Sequence, residues 1–280
     1  MRNNSLVIMA GGASSRMKKS VEGSDLSNTI IQTAKKLHKS LIPLGKMGRP
    51  LLYYLMQNAV TAGIRKIYLI TSPENEAFMD FITELGSMEK FRELEVKVAV
   101  QHIPSHREKP LGTADALQQC LRQHQNLLDE NFTVCNGDNL YDTGAFSALM
   151  AGRKVTNALI GYDGKGLGHP EEKIARFALL DFNDAGFVTD ILEKPTGSVL
   201  EDYRKRHGKL WVSMNIFNFH GATISPFLED CPIHPIRKEK ELPEAVRNMV
   251  KEFPQSLLCI PRSEKIPDLT SASDIATFFD

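Results

Sequence analysis

Gly11, Gly12, Ala13, Ser14, Ser15 and Arg16 follow directly on a short apolar run at residues 6–10. Small residues let backbone N–H groups close around an anion, and a strand that empties into a turn aims those donors outward. Arg16 adds a planar fork of donors suited to phosphate oxygens. The chemistry open to this stretch is polyphosphate binding. A Gly-Gly pair after a strand is also plain turn chemistry, so the rest of the chain must supply the context. Gln101 and the Asn136-Gly137-Asp138 triplet follow two further strand-like segments. Asp138 offers a carboxylate for a hard cation, and Lys39 another positive charge.

These residues need a scaffold that brings them together. Residues 6–10, 66–71, 95–101 and 132–135 read as strands. Residues 50–62, 74–85 and 113–124 read as helices, with a proline near the start of the first, Gly63 just past its end, and Thr113 as a cap for the third. Strand–helix alternation predicts an α/β fold: an open, mostly parallel sheet with helices on both faces. Ligands of such sheets sit beyond the carboxyl ends of the strands. Gly11, Gln101 and Asp138 all fall there, so separate segments are expected to meet in one crevice.

The second half changes character. Strand candidates at 157–162, 175–182, 188–193 and 210–219 are separated by polar loops, with a short helix near 199–207. They suit hairpins and antiparallel additions. Helices are expected near 242–251 and 273–279. Residues 1–280 read as one domain, a mostly parallel half to about 150 and an inserted lobe after it. The polar stretch 18–38 reads as a mobile loop insertion.

Composition narrows the function. Lys plus Arg (34) equals Asp plus Glu (34), so no basic excess points to nucleic acid. Four scattered cysteines lack C-x-x-C spacing and read as reduced thiols, neither a disulfide frame nor a zinc site. The histidines show no ligand spacing. No apolar stretch reaches the roughly 18 residues of a membrane span. A cytoplasmic protein is expected.

At this point a resemblance enters. Gly11-Gly12-Ala13-Ser14-Ser15-Arg16-Met17, then His38-Lys39-Ser40-Leu41-Ile42-Pro43, Gln101 before Leu111-Gly112-Thr113-Ala114, Gly137-Asp138, Glu193-Lys194-Pro195, and Ser213-Met214-Asn215-Ile216-Phe217 stand in order. So does a late Asp268-Leu269-Thr270 followed by Asp274. Together they resemble the motifs of sugar-1-phosphate nucleotidyltransferases over nearly the whole chain. The resemblance implies a three-layer αβα nucleotidyltransferase fold with an inserted antiparallel acceptor-binding lobe. It implies transfer of a nucleoside monophosphate from an NTP to a sugar 1-phosphate, with release of pyrophosphate, and Mg²⁺ as cofactor.

It also implies roles. Arg16, Lys39 and Asp138 would be catalytic. Ala10, Gly11, Gly12, Ala13, Ser14, Ser15, Gln101, Gly112, Thr113 and Gly137 would bind the nucleotide. Asn139, Glu193, Lys194 and Asn215 would bind the acceptor. Asp138 and Glu244 would hold the metal, with Glu241 and Asp268 as alternatives to Glu244. Self-association is common among such proteins. The chain also departs from the pattern. Ala13-Ser14-Ser15 is closer to cytidylyltransferases of the same fold, which leaves a phosphorylated non-sugar acceptor as a rival. Glu244 and the 18–38 stretch leave open a catalytically silent binding protein.

Overall fold

The computed structural model describes residues 4–193, 195 and 197–278. The chain runs β1 (Ser5–Met9), α1 (Ser15–Ser20), α2 (Asn28–Lys36), a 3₁₀ turn at Lys39–Leu41, a small ribbon β2 (Pro43–Leu44) and β3 (Arg49–Pro50), α3 (Leu51–Ala62), β4 (Lys66–Thr71), α4 (Glu76–Gly86), β5 (Glu95–Val100), α5 (Thr113–Gln123), β6 (Asn131–Asn136) and α6 (Thr143–Met150). It continues through β7 (Asn157–Asp163), α7 (Glu171–Ile174), β8 (Ala178–Phe182), β9 (Val188–Leu192), α8 (Gly197–His207), β10 (Trp211–His220), α9 (Gly221–Glu229), α10 (Leu242–Glu252), β11 (Leu257–Arg262) and α11 (Ala272–Thr277).

β1 explains why the sheet is sandwiched. Its apolar residues are consecutive, so alternate side chains point to opposite faces. Leu6 and Ile8 join a core with α1, α2, α3, α4 and α6. Val7 joins a second core with α5, α9 and α10. The order across the sheet is β11-β7-β10-β6-β1-β4-β5. β6, β1, β4 and β5 run parallel, with Val7 paired to both Tyr68 and Val134. β10 is antiparallel to β6 and β7, and β8 and β9 extend from it as an antiparallel addition. The expected antiparallel lobe is thus grafted onto the parallel half through β10.

Some local expectations change. The 18–38 stretch is largely helical rather than a loop. Met17, Val21 and Ala34 are buried in the first core, and Ser27 Oγ caps α2. Residues 175–177 precede β8 instead of joining it. Gly112, at φ 124°, is the N-cap of α5 in place of Thr113. The Thr113 hydroxyl instead accepts the Leu242 N–H at 2.9 Å. Gly63 does end α3, at φ 110°. Among the described residues no helix is long and apolar enough to cross a membrane, and all four cysteines are buried free thiols.

Gly112 matters because it ties the loop before α5 to the segment before α10. Lys240 N–H donates to Leu111 C=O at 2.6 Å, and Ala114 N–H donates to Lys240 C=O at 3.0 Å. A Cβ at position 112 would lie 2.3 Å from the Lys240 carbonyl oxygen. Both the φ and the space demand glycine. Gly112→Ala should lower the unfolding free energy by about 1–3 kcal/mol. Urea denaturation with an unchanged midpoint would contradict this packing.

Candidate active site

A cavity of about 1070 Å³ opens where β1, β5 and β6 end. Gly11, Gly12, Ala13, Ser14, Ser15, Arg16, Lys39, Gln101, Gly112, Thr113, Asp138, Asn139, Glu193 and Asn215 all line it. Residues far apart in sequence therefore share one cleft, as the strand ends predict. Ala10 and Gly137 do not line it. Ala10 is buried and donates its N–H to Ile70 C=O at 2.9 Å. Gly137 donates to Met9 C=O at 2.9 Å, and a Cβ there would sit 3.0 Å from that oxygen. Both tie the loops to the strands beside them. Lys194 lies outside the described residues.

Lys39 is held from two sides. Ser14 sits at φ 54° ahead of α1, and its side chain does not cap that helix. Its hydroxyl accepts the Lys39 N–H at 3.1 Å instead, clamping the glycine loop to the lysine. His38 caps the 3₁₀ turn that carries Lys39, its Nδ1 accepting the Ser40 N–H at 3.2 Å. That bond assigns the ring proton to Nε2. Burial, reinforced by the Lys39 charge, pushes the His38 pKa from 6.5 down to about 4. The ring is a neutral structural cap at neutral pH.

Lys39 Nζ makes a short ion pair with Asp138 Oδ2. Both side chains are mostly covered, at 13% and 22% exposure, so solvent screens the pair less than a surface one. Asp138 has a second carboxylate beside it. Leu269 N–H donates to Asp138 C=O at 2.8 Å, and Asn139 bridges to Asp268. Asp268 accepts from Asn139 Nδ2 at 3.3 Å, Thr270 Oγ1 at 2.9 Å and Lys173 Nζ at 2.9 Å.

Glu244, expected as the second metal carboxylate, is not brought to the cleft. The apolar face of α10, including Leu242, Ala245, Val246 and Met249, packs into the second core. That sends Glu244 towards Arg247, 3.9 Å away, which itself pairs with Asp190 on β9. Glu241 does line the cavity and is paired with Arg237. Lys173 was absent from the motif reading, since nothing in the spacing around α7 marks it as a cleft cation.

The cleft wall around Asn215 is built on an irregularity in β10. Register with β7 slips between Ser213 and Phe217. Asn215 takes φ 56° there, and its buried Oδ1 has no hydrogen-bond partner. Fully buried Tyr141 fixes the bulge by donating to Met214 C=O at 2.5 Å. Asn139, 3% exposed, spends its amide on Asp268, Asn136 and Tyr141. It links the second carboxylate to the bulge. Phe217 and Phe219 are core, as their apolar character suggests.

Comparison with known proteins agrees with this arrangement. A family model described as nucleotidyl transferase matches residues 5–263. Among solved structures, the crystal structure of UDP-glucose pyrophosphorylase complexed with UDP-glucose is similar, with a TM-score of 0.71. The match covers 98% of this chain and 96% of that one. At 13% identity the likeness speaks for the fold.

The His38 environment sets a pH dependence. Its folded pKa lies below its unfolded value, so neutral His38 contributes stability in full above about pH 6.5. That contribution is lost as pH falls from 6.5 towards about 4, because only the unfolded chain takes up the proton. Melting curves of the parent and His38→Asn across this window should converge at low pH. Parallel curves would remove His38 from the linkage.

Proposed function

The chain belongs to the nucleotidyl transferase family; from that premise we propose that it transfers the nucleoside monophosphate of an NTP to a sugar 1-phosphate, giving an NDP-sugar and pyrophosphate. The observation that carries the reading is one cleft holding the glycine loop, Arg16, and Lys39 paired to Asp138. Attack of one phosphate on another brings anions together. Such a site must supply cations and oriented donors more than an acid–base pair.

In this reading the Gly11–Ser15 backbone and Arg16 hold the triphosphate. Lys39 leaves Asp138 and lies against the α-phosphate, where it offsets charge that builds up on the equatorial oxygens. Gln101 and Gly112 face the base. Glu193 and the unpartnered Asn215 amide meet the sugar hydroxyls, and Lys194 the acceptor phosphate.

Mg²⁺ fits this donor set. Among the described residues no cluster of three or more His, Cys, Asp or Glu side chains could cage a metal. Mg²⁺ is commonly held by one or two carboxylates plus substrate phosphates and water. Asp138 and Asp268 are neighbouring cleft carboxylates of that kind. The ion would draw the phosphates together and reduce their charge. Lys173 would then give up its contact with Asp268.

Pyrophosphate release, measured with Mg²⁺ across five NTPs (UTP, dTTP, CTP, GTP, ATP) and a panel of sugar 1-phosphates, tests the reading directly. Release with a sugar 1-phosphate supports it, and release only with a phosphorylated polyol or amino alcohol overturns the sugar assignment. Lys39→Ala should lower kcat by roughly 10²–10³ in a variant that still folds cooperatively. Unchanged turnover removes Lys39 from the mechanism. Asp268→Asn should raise the Mg²⁺ concentration needed for half-maximal rate, and Glu244→Gln should not. The reverse outcome would return the second metal site to α10.

A further inference from the structure

Gln101 carries an amide whose two ends are told apart by its neighbours. Its Nε2 donates to Gly112 C=O at 3.0 Å and to Asp115 Oδ2 at 2.9 Å. A carboxylate only accepts. Turning the amide over would set Oε1 against the Asp115 oxygen and leave a buried acceptor facing an acceptor. The orientation is therefore fixed by chemistry.

Asp115 is itself fixed. It sits in the first turn of α5, where a negative charge suits the helix end, and is 8% exposed. The same Oδ2 accepts from Gln119 Nε2 at 2.9 Å. Gln119 cannot turn over either: its Oε1 accepts the His102 N–H at 2.8 Å and its Nε2 reaches His102 C=O at 3.1 Å. Asp115 thus receives two amide donors that have no other arrangement.

Both N–H bonds of Gln101 are spent, and Oε1 remains. That oxygen lies over the glycine loop, where a Cβ on Gly11 would come within 3.0 Å of it. Gln101 and Gly11 both line the cleft, and Asp115 does not. Among the described residues no donor is bonded to Oε1.

We propose that Asp115 is a positioning residue that makes Gln101 an acceptor-only reader of the nucleobase, and so selects a base with a ring N–H. This rests on the nucleotidyl-transfer reading above. Uracil and thymine (N3–H) and guanine (N1–H) donate to Oε1. Cytosine N3 and adenine N1 bring a lone pair to the same oxygen, and a mismatched polar contact in a closed site is costly. Asp115 touches no substrate. It acts by holding the polarity of the amide that does.

Calorimetric binding of UTP, dTTP, GTP, CTP and ATP, with Mg²⁺ and no acceptor, tests this without knowing the sugar. The parent should bind at least one of UTP, dTTP and GTP about tenfold or more tighter than CTP and ATP. In Asp115→Asn the amide oxygen can take the place of Oδ2 and still accept from Gln101 and Gln119, so the preference should stand. Asp115→Ala removes that acceptor, and the preference should shrink by about tenfold. A residue that merely supports the fold would weaken all five nucleotides alike, and an unchanged ranking in folded Asp115→Ala overturns the proposal. A parent that binds CTP or ATP most tightly also overturns it and leaves nucleotidyl transfer standing. A parent that neither binds any of the five nor releases pyrophosphate removes both readings together.

Discussion

The Lys39–Asp138 ion pair is the interaction on which the rest of the structure converges. It joins two segments 99 positions apart and places opposite charges where a polyphosphate and a divalent cation would meet. In a partly desolvated cleft neither charge is comfortable alone. Paired, they neutralise each other until stronger partners arrive. Asp268 and Lys173 repeat the arrangement nearby. Lys39 and Lys173 are thus each matched to a carboxylate of the same cleft.

Everything that fixes this pair is local and physical. His38, kept neutral by burial, caps the turn that presents Lys39. Ser14 Oγ accepts the Lys39 N–H, which ties the glycine loop to the lysine. Gly137 is pinned to Met9, which sets Asp138 just past the end of β6. Across the cleft, the β10 bulge and Tyr141 present Asn215 in a left-handed conformation. Asparagine tolerates that geometry better than most residues, because its short amide can bond locally. Here that amide oxygen is left for something else to satisfy.

Much of this was legible in the sequence because its signals were local. The apolar run of β1 has three consecutive core residues, Leu6, Val7 and Ile8, and glycines follow it, so strand and loop announce themselves. Gly63 marks the end of α3 for the same kind of reason. The failures come from what a linear reading cannot see. Ile30, Ile31 and Ala34 give α2 an apolar face, but lysines and hydroxyl residues around them masked it as a loop. β11 contains Pro261 and pairs at the sheet edge, where a proline is tolerated. The resemblance implies Glu244 as a metal carboxylate. Glu241, the extended N-cap of α10, lines the cleft, whereas the core-packing stripe of the helix turns Glu244 to Arg247. No motif in the sequence marks Asp115. Its partners, Gln101 and Gln119, become visible only when β5 and α5 are set side by side.

The most direct measurement is a crystal structure of the protein with Mg²⁺ and a non-hydrolysable analogue of its preferred NTP. The account predicts that Lys39 Nζ leaves Asp138 for an α-phosphate oxygen while Asp138 turns to the metal. A nucleotide bound in the cleft with Lys39 still paired to Asp138, and the metal elsewhere, would contradict it.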